Sequence, residues 1–554
     1  MMRLAIALVV LAVPFVPASA EDKPFTTTGK NGMVVCVSPE AADIGVAVLK
    51  QGGNAVDAAV AVGFAMAVTW PEAGNIGGGG FMLVSKPGAE PTFFDYREKA
   101  PASVTRDTFV KTNDWHNHQA VGVPGTVRGL ELAHKKLGKL PWKDLVMPAV
   151  KLADEGFIFD GPFVRSINDA LMRKGGTDEF HRVFGKNGKA DWKVGDRFVQ
   201  KDLAKSLRKI AEQGADAFYT GELADLFVAE MKPFDGFITK EDLANYSAKE
   251  RKPIHGTYRG FDIYGAPPPS SGGTAVVEML NILETFDLSK HAATSPDLYH
   301  LRAEAMRRAY ADRARYLGDP DFVKVPDFLT SKEHAKKLAA TIDPGKATPS
   351  GSLAEGIPLA KESDHTTHFS IIDSNGMAVS NTYTLEDSFG SRVVVRGAGF
   401  ILNNEMGDFN SQPGVSNTKG RIGTEPNVVA PGKRMLSSMS PTIIAKDGKP
   451  LLVTGSPGGR TIPNTVLCVI TNVIDFKMDI AAAVAARREH HQWFPDELQL
   501  EGTQKGALTV YGEYGHKSKL IRKQGDAHSI WIDPATGVYH GAADRRINGK
   551  AAGY

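Results

Sequence analysis

The spacing of apolar residues changes along this chain. Near the start, 33–37 reads as a strand. Ser38 then suits an N-cap and Pro39 the first helical position, and helical spacing follows until Gly52-Gly53 breaks it. The next stretch, 54–68, is apolar on nearly all sides apart from Asp57, and its length predicts a buried helix and not a membrane span. Four glycines, 77–80, lead into a strand over 81–84. No GK[ST] or GxGxxG follows, so they predict a close approach of backbones and not a phosphate cradle.

From about 125 to 345 the pattern is mostly helical: "TVRGLELAHKKLG", "WKDLVMPAVKLADEG", "KDLAKSLRKIAEQG" and "SPDLYHLRAEAMRRAYADRARYLG", several ending in glycine as a helix C-terminus favours. Pro267-Pro268-Pro269 predicts a rigid loop. Residues 343–365 are rich in Pro, Gly, Ser and Ala without an apolar period, which is linker composition. Strand patterns follow it. "THFSIIDSNGMAVSNTYTL" predicts a hairpin around Ser374-Asn375-Gly376, with glycine left-handed. If Asp373 pairs with Met377, Thr366 faces Thr384; a slipped register brings Thr382 near instead. "SRVVVRG", "PTIIAKDGKPLLVTGS" and "SIWIDPATGVYHGAAD" also read as strands, with helical runs at "NTVLCVITNVID" and "DIAAAVAARREHH".

Composition narrows the class. The chain has 554 residues, 42% of them hydrophobic and 23% charged, so most of it is globular. A net charge of +2 argues against nucleic acid or an acidic membrane surface as the main partner. The first twenty residues carry Arg3, an apolar run and Ala18-Ser19-Ala20, the pattern of an export signal that would leave a mature chain starting near Glu21. The two cysteines, Cys36 and Cys468, stand in apolar surroundings and read as buried thiols or as a pair. No zinc-like spacing accompanies them. His490 and His491 are adjacent, and on a helix they would point about 100° apart, a poor arrangement for one ion.

Thr366 sits where linker meets strand. A threonine hydroxyl needs a base to act as a nucleophile, and an N-terminal threonine supplies one in its own α-amine, whose ordinary pKa of about 8 is near working pH. That chemistry requires a cut between His365 and Thr366. Paired threonines also occur in ordinary strands. Other stretches offer similar choices. Glu405 and Asp408 suit a solvated loop or an ammonium site, and Ser437 and Ser438 suit a turn or a carboxylate site. Gly458-Gly459 after a strand suits a plain turn or an oxyanion site, and Arg97 suits a surface ion pair or a carboxylate clamp.

Together these stretches are more specific. "GGNAVDAAVAVGFAMAVTWPEAGNIGGGGFML", "DYREKAP", "GVPGTVRGL", "PPPSSGGT", "DHTTHFS", "NTYTL", "LNNEMGDF", "SSMSPTI", "TGSPGG", "HHQWFPDEL" and the closing "AAGY" occur in one order, and through them the chain resembles the γ-glutamyltransferase (glutathione hydrolase) family from about Gly29 onward. The resemblance implies an α+β fold, the four-layer αββα sandwich of N-terminal-nucleophile hydrolases. It implies self-cleavage between His365 and Thr366 into a large subunit, 21–365, and a small subunit, 366–554, that stay together as a heterodimer. Thr366 would be the nucleophile, Thr384 its orienting hydroxyl, and Gly458 and Gly459 the oxyanion site. Arg97, Ser437 and Ser438 would hold the α-carboxylate of a γ-glutamyl group, and Glu386, Glu405 and Asp408 its α-ammonium.

The implied activity is γ-glutamyl transfer from glutathione and related amides to water or to amino-acid and peptide amines, in the periplasm or outside the cell, with no metal or organic cofactor. Some family members have Asn where this chain has Glu386 and Gln where it has Glu405, so this site is more acidic. Lys419 stands where other members place a lid tyrosine in the loop 412–427. Two other readings are a cephalosporin-type acylase acting on glutaryl-like amides, which the three acids oppose, and a processed but inactive binding module, which the retained hydroxyls and glycine pair oppose.

Overall fold

A computed structural model describes residues 25–354, 365–415, 417–419, 422–502, 507–547 and 549–554. The export signal and residues 355–364 of the linker ahead of Thr366 lie outside the described residues.

Two seven-stranded sheets form the centre. The first runs Lys550–Gly553, Gly32–Cys36, His365–Asp373, Ala378–Glu386, Gly79–Ser85, Thr92–Tyr96 and Lys249–Arg251, antiparallel throughout. The second runs Phe25–Gly29, Tyr539–Ala543, Ser529–Ile532, Lys449–Thr454, Thr442–Lys446, Phe261–Gly265 and Ile254–Tyr258. Their inner faces meet through Met33, Val35, Phe81, Ile372, Ile443, Val453 and Ile530. Alternate residues of the same strands face outward, because side chains change face at every position. Phe369, Ile371, Val379 and Tyr383 therefore join the core under the helices Pro39–Lys50, Ala55–Thr69 and Trp142–Glu155. On the other side, Ile444 and Leu452 pack under Gly272–Leu283, Pro296–Tyr316 and Ile462–Ile474. The layers are αββα.

The elements nearest the site form for local reasons. Ser38 caps the helix Pro39–Lys50, accepting from the Ala41 amide at 3.2 Å, with Pro39 at its start. Ala55–Thr69 is buried over its whole length, as a helix apolar on all sides must be, and Asn54 with Asp57 closes a capping box at its start. The hairpin register is the expected one: Thr366 stands opposite Thr384, the Asp373 amide donates to Met377 at 3.0 Å, and Gly376 takes φ 76°.

Three expectations need correction. "SRVVVRG" forms no strand; its three valines are buried in the first core, and the chain turns at Gly397 and Gly399, both left-handed. The helix at "DIAAAVAARREHH" ends at Ala485. Beyond it Arg488 is drawn inward to Asp544 at 2.6 Å and to the Gln524 carbonyl at 2.6 Å, and Glu489–His490 is a strand. The mostly helical middle also contains the hairpin Ile254–Tyr258 and Phe261–Gly265, turned by left-handed Arg259 and Gly260. Cys36 and Cys468 are free and buried, and burial pushes both thiols up to about 12. Among the described residues no helix is long and apolar enough to cross a membrane.

Candidate active site

The inner face of the central hairpin carries a polar ladder at its open end. Thr366, His368 and Ser370 lie on one face of their strand, with Thr384, Thr382 and Ser380 opposite. The Thr366 hydroxyl donates to Thr384 Oγ1 at 3.3 Å, and the Glu386 amide donates to the same oxygen at 2.8 Å. Thr384 is thereby fixed as the acceptor beside Thr366. Its carbonyl is held from behind by Asn75 Nδ2 at 2.8 Å, and Asn75 Oδ1 accepts from the Gly78 amide at 2.9 Å and from Thr126 Oγ1 at 2.7 Å. A Cβ on Gly78 would stand 2.1 Å from the Thr384 carbonyl oxygen, so the expected close backbone approach of the glycine run is realised at the site itself.

The next rung is closed internally. Ser370 Oγ donates to the His528 carbonyl at 2.8 Å, which leaves it to accept from His368 Nε2 at 3.0 Å; Nδ1 then accepts from Thr382 at 2.8 Å. Burial, aided by nearby His528, keeps His368 well below its usual pKa, so the ring is neutral and bonded at both nitrogens. It is a structural histidine and not a base for Thr366.

His365 and Thr366 are consecutive residues of one strand, and the pairing shifts register between these two residues. On the opposite strand, Glu386 takes a left-handed φ of 79°. The hairpin is thus irregular at the 365–366 bond and regular below it.

Nine of the ten candidate catalytic and head-group residues line one small cavity: Thr366, Arg97, Thr384, Glu386, Glu405, Asp408, Ser437, Ser438 and Gly459, joined by Met439 and Ile462, which sequence reasoning had not singled out. Its free space is about 20 Å³, room for about one water. Gly458 lines a neighbouring cavity that also reaches Thr366. Gly458 and Gly459 have φ of 126° and 53°, and Gly459 opens the turn that continues into the helix Ile462–Ile474. Backbone N–H groups at such a helix start favour an anion.

Arg97 is 1% exposed. Its Nη1 pairs with Glu405, its Nη2 with Asp408, and its Nε donates to the Met435 carbonyl at 3.2 Å. The expected clamp residues are therefore together, and they pair with one another. Glu98, buried beside Arg97 at 3.6 Å, belongs to the same group and was missed, although it is adjacent in "DYREKAP". Burial raises Glu98 to about 7 and Glu405 to about 8 against the pull of Arg97. Among the described residues neither Glu98 oxygen has a hydrogen-bond partner, as suits a carboxyl that is not fully ionised. Ser438 accepts from Arg313 Nη2 at 3.1 Å, and Arg313 Nε donates to Ser271 at 2.9 Å, which ties the Pro-rich loop to the two serines. Lys419 is exposed and does not line the cavity.

The histidine pair is spoken for. His490 bonds Asn464 at 2.7 Å and Gln492 at 2.9 Å; His491 accepts from the Trp493 amide at 3.1 Å and meets Asp496 at 3.3 Å.

Two antiparallel sheets face to face between helical layers, with a threonine hydroxyl at the open end of a central hairpin, define an N-terminal-nucleophile hydrolase. A family model described as gamma-glutamyltranspeptidase matches residues 41–554. The chain belongs to the gamma-glutamyltranspeptidase family. It is 46% identical to the glutathione hydrolase proenzyme of Escherichia coli K12, over all of this chain and 99% of that protein. Among solved structures it is similar to the cephalosporin acylase of Bacillus halodurans, with a TM-score of 0.86 and 29% identity over 99% of each chain. It is also similar to the gamma-glutamyltranspeptidase of Helicobacter pylori, with a TM-score of 0.55 and 45% identity over 57% of this chain and 92% of that one.

Proposed function

We propose that this enzyme is an exported γ-glutamyltransferase and glutathione hydrolase that activates itself by cutting between His365 and Thr366. The observation that carries the reading is the Thr366 hydroxyl bonded to Thr384 at the edge of a cavity walled by one guanidinium, two serines and three acids. The register shift at the 365–366 bond supports the cut. So does the solved Helicobacter chain, which is nearly fully covered yet spans just over half of this one. Large and small subunits, 21–365 and 366–554, then form the heterodimer.

In the cut, Thr366 Oγ attacks the His365 carbonyl carbon, the amide nitrogen leaves as the new α-amine, and water opens the resulting ester. The free amine then takes the Thr366 proton as the hydroxyl attacks the γ-carbonyl of the substrate. Thr384 orients that hydroxyl, and the amides of Gly458 and Gly459 receive the oxyanion. Arg97, Ser437 and Ser438 take the α-carboxylate; Glu386, Glu405 and Asp408 take the α-ammonium. A zwitterionic head exchanges partners with the ion pairs already there: its carboxylate replaces acids on Arg97, and its ammonium takes the acids released. The charge balance of the buried site is unchanged, which keeps the desolvation cost low. The ester passes to water or to an amine. The chain itself supplies every group in this scheme, and we place the enzyme in the periplasm or outside the cell.

The test has two parts. On a denaturing gel, wild type gives two fragments and Thr366→Ala stays whole; cleavage of the variant at the same bond removes Thr366 as the agent. Wild type hydrolyses γ-glutamyl-anilide at least about tenfold faster than glutaryl-anilide, which lacks the ammonium. Equal rates would refute the ammonium clamp.

A further inference from the structure

Away from the active site, two groups of acids and histidines gather among the helices, and their bonding sets them apart. His300, Glu304 and His516 are closed internally. His300 bonds His516 at 2.8 Å and the Asp343 carbonyl at 2.8 Å, while Glu304 pairs with Arg307 at 3.2 Å and Arg308 at 2.6 Å. Two guanidiniums already neutralise that acid and would repel a metal ion. Glu278, Asp312 and His334 are different. They come from three helices, Gly272–Leu283, Pro296–Tyr316 and Lys332–Ala339, and one donor atom of each lies within 4.8 Å of the other two.

His334 Nε2 donates to Asp312 Oδ2 at 2.7 Å, and its ring meets Phe328 edge-on with centroids 4.8 Å apart. Arg315 reaches the other Asp312 oxygen at 3.3 Å. Glu278 is 1% exposed, and among the described residues its Oε1 makes no hydrogen bond. Burial and the adjacent Asp312 hold its carboxyl well above the usual range. One turn along the same helix face, Asn281 Oδ1 is also buried and, among the described residues, without a partner. That amide cannot turn over to satisfy it, because Nδ2 donates to the Thr330 carbonyl at 2.8 Å, just ahead of the helix that carries His334. Two adjacent carboxyl groups can both ionise in such surroundings only with a cation between them.

We propose that Glu278, Asp312 and His334 form a structural site for a divalent transition-metal ion, zinc by its donor set, which clips the three helices together. One imidazole nitrogen and two carboxylate oxygens suit zinc, whereas magnesium and calcium prefer oxygen throughout. Binding forms one nitrogen–metal and two oxygen–metal bonds. The neutral imidazole then carries its single proton on Nδ1, and any proton on Glu278 passes to solvent. The His334 side chain is 18% exposed, which gives the ion a path from solvent. The clip secures Lys332–Ala339, the last α-helix before the linker at 343–365, and takes no part in acyl transfer.

The test uses protein purified without an affinity tag, stripped with chelator and dialysed against zinc chloride or magnesium chloride. Wild type should retain about one equivalent of zinc more than Glu278→Gln. Zinc at about a hundredfold excess over Kd should raise the wild-type melting temperature by about 2–3 °C. Glu278→Gln and His334→Gln should lose that shift and bind zinc at least about tenfold more weakly. Glutamine nearly keeps the shape of Glu278, so the metal-free variant should melt with metal-free wild type, which separates a lost ligand from a folding defect. His516→Gln should keep the zinc equivalent. Equal zinc content in wild type and Glu278→Gln overturns the assignment, as does a wild type that holds no zinc. An equal shift with magnesium overturns the choice of metal, and zinc lost from His516→Gln but kept by Glu278→Gln moves the site to the other cluster.

Discussion

Three carboxyl groups crowd the Arg97 guanidinium: Glu405 and Asp408 pair with it, and Glu98 stands 3.6 Å away. One cation cannot hold three buried anions, so protons make up the difference. Burial raises Glu98 to about 7 and Glu405 to about 8. The folded chain thus binds protons that the unfolded chain, with ordinary carboxyls, gives up near pH 4.5. Stability from these groups is present at acid pH and is lost as pH rises through 7 to 8. Measured on the uncut Thr366→Ala protein, the melting temperature should fall by about 1–2 °C between pH 5.5 and 8.5, and additional Glu98→Gln should flatten that fall. A flat profile in Thr366→Ala alone would mean that both acids are ionised throughout. Glu98 was readable as a neighbour of Arg97, but its burial was not, because a residue next to an arginine in sequence is ordinarily solvated.

The central hairpin is the element that sets the geometry, and its turn is held from outside. Asp373 Oδ1 accepts from the Asn375 amide at 2.8 Å and the Met377 amide at 3.1 Å, and Oδ2 accepts from the Ala55 amide at 3.0 Å, the start of the buried helix. One side chain therefore closes the turn and joins sheet to helix. Asp373→Ala should cost about 2–3 kcal/mol by denaturant unfolding of the uncut protein, at roughly 1 kcal/mol per lost hydrogen bond, and should slow the appearance of the two fragments. Asp373→Asn keeps one acceptor oxygen and should lose less. Unchanged stability in the alanine variant would show that the turn residues hold the register unaided. Alternation and the Ser-Asn-Gly turn made this hairpin legible. The run of valines at 393–395 was misleading for the same reason, since β-branched residues suit any dry surface and their burial here is irregular.

Cleavage at residue 365 would divide both sheets internally. In the first, Gly32–Cys36 from the N-terminal part lies between Lys550–Gly553 and His365–Asp373 from the C-terminal part. In the second, Phe25–Gly29 flanks one edge and the hairpin Ile254–Gly265 the other, around C-terminal strands. Neither part has a complete sheet alone, and each would expose unpaired strand edges and half of the inter-sheet core. The two fragments should co-elute in size-exclusion chromatography without denaturant and separate only as they unfold. Two folded, separate peaks would contradict this interleaving.

The sequence by itself determined most of the periodic elements, the turn chemistry, a hairpin that brings Thr382 or Thr384 near Thr366 and, through ordered motifs, the family. These are local: each depends on residues within a few positions or on a pattern that survives without coordinates. Only the tertiary structure decided that Arg97, residues 386–408 and the serines at 437–438 surround one point. It also decided that the acids neutralise Arg97 and that a second cavity opens on Thr366. Those facts rest on contacts between residues hundreds of positions apart, and on how burial changes the charge a side chain can carry.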